Sequence, residues 1–441
     1  MIFNKFQVIN GATTIINEEF ICDPWIYGNL YNNAWSPYIQ PSFSKNKLKK
    51  IKYCFISHLH QDHWDLDTIK YFPKKTLFII PDLIFNRLIE KQLRKIGFKL
   101  FKYLKLGKFF KIKNKYMVSV VPPLNTMGQE IPNYKGIYDN DIDLSIDCGV
   151  IIKTLNDNNN HLMLADNCPY NLEKFNKYFK KIKIQNCFYP YNGYASDYPI
   201  AYSNISLEEK RLISAKKINY LENKLKLFFN YIKPKVLIPY SSTFSINTKY
   251  KNDFFKVNDI NYFETDKYVK KFREKTNIPC ISLNPNDILI NKFDKFILKR
   301  GFSIVKTPVK RKKLSLKFEN LKENNIESLL NIVFLRYLER IKKYELNYKN
   351  IIKTNFLIQL DGSKNYFFFD FKEKKIEKTN KIINFKKKRT LILKSSKNII
   401  LNILNKKAHI NNCIIGIFLD WKRYPNKINS DFDKSLNFFH I

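Results

Sequence analysis

Three of the chain's six histidines fall within one run, Ser57-His58-Leu59-His60-Gln61-Asp62-His63. The run follows Tyr53-Cys54-Phe55-Ile56, a compact apolar segment that reads as a strand. A loop leaving a strand end with the spacing H-x-H-x-D-H can aim three imidazoles and a carboxylate at one point. Borderline divalent ions such as Zn²⁺, Fe²⁺ or Mn²⁺ take such nitrogen and oxygen donors. The expected ligands are His58, His60, Asp62 and His63. A bound ion would lower the pKa of water towards ~7. Asp62 is then the orienting or general-base carboxylate beside His63, and the two are the expected catalytic residues.

The elements that must position this loop are short strands and helices in alternation. Thr76 to Ile80 reads as a strand, and Leu83 to Gly97 carries apolar residues at helical spacing. Met117 to Val121, Leu144 to Lys153 and His161 to Ala165 read as further strands. Ser206 to Tyr231 is the clearest long helix, with Ser206 placed to cap it and Glu209 three residues on. Lys233-Pro234 closes it before the strand Val236-Leu237-Ile238. Residues 306–313 form a basic, apolar-poor link, which sets the expected boundary between domains 1–305 and 306–441. Beyond it come a helix from Ile326 to Tyr344, strands near 356–358, 366–371 and 390–393, and a helix over 398–404.

Composition narrows the function classes. With 441 residues, two domains are expected. The formal net charge of +39 is carried almost entirely by lysine. Base-edge and phosphate readers favour the arginine fork, so nucleic acid is an unlikely partner and an anionic small molecule fits better. Seven cysteines without C-x-x-C spacing suit reduced thiols, and no C-x-H…C-x-x-H pair exists to hold a Rieske cluster. No apolar run approaches the ~18 residues of a membrane span. A cytoplasmic location without membrane association is the expectation.

The histidine run resembles that of the metallo-β-lactamase superfamily, whose fold is an αββα sandwich with metals at the sheet edges. Asp166, after the apolar strand 161–165, resembles the strand-ending aspartate that bridges two ions there. Further segments resemble the lactamase-like and C-terminal parts of the CMP-N-acetylneuraminate hydroxylase family. These are Ile21-Cys22-Asp23-Pro24-Trp25-Ile26-Tyr27-Gly28, Tyr194 to Tyr202, Pro239 to Phe244, Tyr366 to Phe371 and Asn437-Phe438-Phe439-His440. The resemblance implies a layered α/β protein, an αββα sandwich followed by a smaller C-terminal α/β domain. It also implies one or two divalent ions.

Two departures qualify it. The chain begins at the lactamase-like part, so oxygenation would require a separate Rieske electron donor. The third histidine of the first metal site is also absent. Asp139 is the expected substitute, with Asp141 second. His161 lies roughly 16 Å along its strand from Asp166 and is expected at the other end of the sheet. Where the superfamily places its last histidine, this chain has Tyr240-Ser241-Ser242.

Asp23 is expected to accept from a metal histidine. Trp25, Tyr27, Tyr31, Trp35 and Tyr38 either line a pocket or pack in the core. Lys210, Arg211, Lys216 and Lys217 on the long helix form a solvated face or meet phosphates. The leading expectation is a metal-dependent hydrolase acting on a phosphoester or nucleotide-sugar-like anion. The alternatives are a hydroxylase-like oxygenase and a non-catalytic module with a degraded site.

Overall fold

Alternation of buried side chains builds the two central layers. Tyr53 and Phe55 face one apolar cluster while Cys54 and Ile56 face another, so their strand is covered on both sides. Val150 and Ile152 likewise face inward while Ile151 faces outward. The computed structural model describes residues 4–440 except 39–40, 42, 84–85, 125, 128–141, 144–145, 170, 192–196, 242–243, 258–264, 293–294, 302–316, 323–324 and 382–388.

An eight-stranded sheet runs in the order Lys295–Lys299, Ile288–Lys292, Asn4–Asn10, Thr13–Ile16, Phe20–Cys22, Tyr53–Phe55, Leu77–Pro81, Phe101–Leu104. Its last four strands are parallel. A six-stranded sheet runs Val236–Tyr240, Asn186–Pro190, Asn159–Met163, Gly149–Thr154, Tyr116–Val121, Phe109–Ile112. Its first three strands are parallel. The inner core between the sheets includes Phe6, Phe20, Phe55, Val118, Val150 and Phe188.

Helices cover both outer faces. Ile89 and Leu93 of Arg87–Lys95 pack on the first sheet. Phe175 of Leu172–Phe179, Phe228 of Leu207–Ile232 and Phe272 of Thr265–Thr276 pack on the second. The result is the expected αββα sandwich. Among the described residues, no helix is long and apolar enough to cross a membrane.

A third sheet runs Lys375–Thr379, Tyr366–Asp370, Asn355–Leu360, Thr390–Ser395, Asp420–Tyr424. Its core is continuous with Trp25, Tyr31, Trp35, Tyr202, Phe244 and Phe254 from the earlier part of the chain. The boundary expected at 305/306 falls outside the described residues.

Several expected elements are shifted. The strand expected over 161–165 ends at Met163, and Ala165 turns with φ +54°, so Asp166 stands beyond a turn. The helix expected from Leu83 runs Arg87–Lys95, with Gly97 at φ +91° after it. Lys210 and Lys217 are buried and donate to the Ile200 and Tyr198 carbonyls at 2.8 and 2.7 Å, so neither belongs to a solvated face or meets a phosphate. All seven cysteines are free and buried.

Candidate metal centre

The parallel strands of both sheets end at one edge of the sandwich, and the functional side chains leave from those ends. Asp23 follows Phe20–Cys22, and the histidine run follows Tyr53–Phe55. Asp166 follows Asn159–Met163, and Ser241 follows Val236–Tyr240. Gln61–His63 forms one 3₁₀ turn, which brings Asp62 and His63 back over the strand end.

His58, His60 and Asp166 form one group of donors, and Asp62, His63 and Asp166 form another. In each group the ligand atoms lie within 4.8 Å of one another, and Asp166 is common to both. His58 Nε2 stands 2.8 Å from His60 Nδ1. His63 Nε2 stands 3.2 Å from Asp166 Oδ2 and 3.3 Å from Asp62 Oδ2. The structure therefore brings together His58, His60, Asp62, His63 and Asp166. Asp139 and Asp141 lie outside the described residues.

Surrounding groups orient the rings. Ser57 Oγ is 2.9 Å from His58 Nδ1 and 3.3 Å from His63 Nδ1. Asp23 is buried, accepts from the Ser57 N–H at 2.7 Å, and places Oδ2 3.4 Å from His63 Nδ1. With their Nδ1 atoms engaged, His58 and His63 turn Nε2 towards the cluster. The Ser241 hydroxyl donates to Asp166 Oδ1 at 2.7 Å. Tyr240 Oη accepts from the Ala165 N–H at 2.6 Å and fixes the turn before Asp166. Ser242, in the segment where the superfamily histidine would fall, lies outside the described residues.

Sequence reading missed Asp147. This buried carboxylate precedes Gly149–Thr154 and puts Oδ1 3.4 Å from His58 Nε2. Gly149, two residues on, lets the strand pack closely on its neighbour, since a Cβ there would meet the Met163 carbonyl at 2.8 Å. The strand expected from Leu144 to Lys153 begins at Gly149, so Asp147 lies at the strand's entrance, where the sequence reading places it inside. Tyr31 was read among the pocket or core aromatics, yet its O–H donates to Asp62 Oδ1 at 2.6 Å. His161 sits buried at the far end of the sandwich, 3.3 Å from Thr154 Oγ1, as expected.

Burial pushes the His58 and His60 pKa values down, His58 well below the usual range, so both rings are neutral donors. Burial opposes ionisation of Asp62, but neighbouring His63 outweighs it and lowers Asp62 to about 2. Burial also opposes charge on His63, and Asp166, Asp62 and Asp23 override it, holding His63 well above its ordinary value. Asp166, Asp62 and Asp23 thus surround one imidazole, and a divalent cation taking the place of the proton at His63 Nε2 fits that negative charge. His58 and His63 are buried, whereas His60, Asp62 and Asp166 are partly open to solvent. The donor set and its one open side suit an ion with room for a substrate or water.

No protein-family model matches the chain. Over 82 residues it is 32% identical to a Mycolicibacterium smegmatis chain named as a Rieske 2Fe-2S iron-sulfur protein, covering 18% of this chain and 15% of that one. Among solved structures, it is similar to CmlA, a diiron beta-hydroxylase from Streptomyces venezuelae, with TM-score 0.40 and 13% identity over 66% of this chain and 54% of that one. A possible metal-dependent hydrolase from Veillonella parvula gives TM-score 0.41 and 12% identity over 65% and 99%. The metallo-beta-lactamase fold protein YhfI from Bacillus subtilis gives 0.34 and 11% over 66% and 100%. The chain thus spans a small part of its curated relative and about half of CmlA.

Proposed function

We propose that this chain is a metal-dependent hydrolase of the metallo-β-lactamase type, acting on an anionic phosphoester or nucleotide-sugar-like substrate. The observation that supports it is the pair of donor groups sharing Asp166 at the open edge of the sandwich. His58, His60, Asp166 and Asp147 would hold one ion, and Asp62, His63 and Asp166 a second. Zn²⁺, Fe²⁺ and Mn²⁺ all suit this set, and the excess of oxygen donors favours Fe²⁺ or Mn²⁺. A divalent ion bound there polarises a phosphoryl or carbonyl oxygen and makes water a nucleophile near neutral pH.

The chain's own groups do the rest. Ser57 and Asp23 hold the rings of His58 and His63 in orientation. Ser241 holds Asp166 from the side of the second sheet. Asp62, with Oδ1 engaged by Tyr31, keeps Oδ2 to orient an attacking water and accept its proton. The net charge of +39 draws anionic substrates to the surface. A cytoplasmic location and the division into domains 1–305 and 306–441 belong to the same reading.

The oxygen-rich donor set also supports a second reading, a hydroxylase-like oxygenase with a separate Rieske electron donor. The short likeness to a chain named as a Rieske protein supports it too. Incubating metal-loaded protein with a phosphodiester and a CMP-linked sugar, with and without a reduced Rieske donor and O₂, separates the two. Product formation without donor or O₂ favours the hydrolase. Product that requires both favours the oxygenase, and no product from either points to a non-catalytic module.

A further inference from the structure

Between Leu30 and Trp35, which pair across an antiparallel bridge, the chain makes a tight turn. Tyr31, Asn32 and Asn33 all take positive φ, at 50°, 55° and 67°. Such backbone is costly for residues other than glycine and persists only where surrounding contacts fix it.

The contacts come from two directions. Towards the metal loop, the Tyr31 N–H donates to Gln61 Oε1 at 2.9 Å and the Tyr31 O–H donates to Asp62 Oδ1 at 2.6 Å. Towards the C-terminal part, Asn32 and Lys317 exchange two hydrogen bonds. The Lys317 N–H donates to the Asn32 carbonyl at 3.1 Å, and Asn32 Nδ2 donates to the Lys317 carbonyl at 2.6 Å. Trp35 Nε1 donates to the Ile415 carbonyl at 3.1 Å. Its ring stacks on Phe244 at 3.7 Å and meets Tyr31 edge-on at 4.9 Å.

We propose that Tyr31 is a positioning residue for the Asp62/His63 metal position, and that the C-terminal part sets its placement through Asn32 and Trp35. A carboxylate has two equivalent oxygens. Capturing Oδ1 with a buried phenol leaves Oδ2 as the one facing His63 and Asp166. Tyr31 is 1% exposed, so its hydroxyl has no solvent to fall back on and holds the carboxylate in one rotamer. The third sheet and its helices thereby contribute to the centre without supplying a ligand. The inference rests on the metal-site reading above.

The test is a Co²⁺ titration of chelated full-length protein, following the visible d–d spectrum and ion stoichiometry in wild type, Y31F, W35F, N32G and the Y31F/W35F pair. N32G keeps a residue suited to positive φ while removing one bond to Lys317. Hydrogen-bond partners of metal ligands are commonly worth 10–100-fold in affinity. Y31F should weaken the Asp62/His63 ion by about that factor, alter its band, and leave the His58/His60 ion unchanged. W35F and N32G should weaken the same ion by a smaller factor, and W35F should add nothing in the Y31F background. Wild-type affinity for both ions in Y31F, or equal weakening of both, overturns the inference. Failure of wild type to bind any ion overturns the metal-site reading and the inference with it.

Discussion

Ser57 lies between two imidazoles, 2.9 Å from one Nδ1 and 3.3 Å from the other, and so decides which nitrogens face the cluster. At this scale, the convergence of His58, His60, Asp62 and His63 was legible, because H-x-H-x-D-H spacing in a strand-end loop can aim these side chains at one point. Asp147 was not, because one carboxylate next to a strand is common and only tertiary pairing brings it to His58. Asp147→Asn should weaken binding at the His58/His60 position by about 10–100-fold, since it removes a buried anion 3.4 Å from a ligand nitrogen. Asp139→Ala, which removes the carboxylate expected from sequence in place of the missing histidine, is the comparison, and isothermal titration of chelated protein ranks the two. Asp166→Asn should weaken both positions, because its carboxylate belongs to both donor groups.

The long helix shows what the chain declares about its own elements. It was read as Ser206 to Tyr231 and runs Leu207–Ile232, with Ser206 Oγ accepting from the Glu209 N–H at 3.1 Å. Local capping chemistry is short-range, and a sequence displays it. Ser206→Ala should cost about 1 kcal/mol in denaturant unfolding. Lys210 and Lys217 were misread because burial is decided by what packs on a helix, whereas Arg211 and Lys216 lie on the exposed face as expected. Burial pulls the Lys217 pKa from the ordinary 10.5 to about 7. The unfolded chain therefore binds a proton between about pH 7 and 10.5 that the folded chain does not, so stability rises with pH across that window. Below pH 7 both states are protonated and the penalty is constant. Lys217→Met should remove this rise and add stability at pH 7, measured as the difference between variant and wild-type unfolding curves at pH 7 and 9.

For the whole molecule, the αββα architecture was legible from strand–helix alternation and family resemblance. The shared core between the third sheet and residues such as Trp25, Trp35 and Phe244 was not, because no periodicity reports contacts hundreds of residues apart. A fragment ending at residue 305 should expose that apolar surface and aggregate. Whatever soluble fraction survives should bind the Asp62/His63 ion more weakly than the full chain, checked by yield and metal titration.

The metal centre itself is tested most directly by metal content. Full-length protein, stripped with chelator, reloaded with Fe²⁺, Mn²⁺ or Zn²⁺ and desalted, should retain one to two equivalents per chain, and His60→Ala should retain none at the His58/His60 position. A wild-type protein that retains no stoichiometric ion, or a His60→Ala variant that retains as much as wild type, would contradict the account.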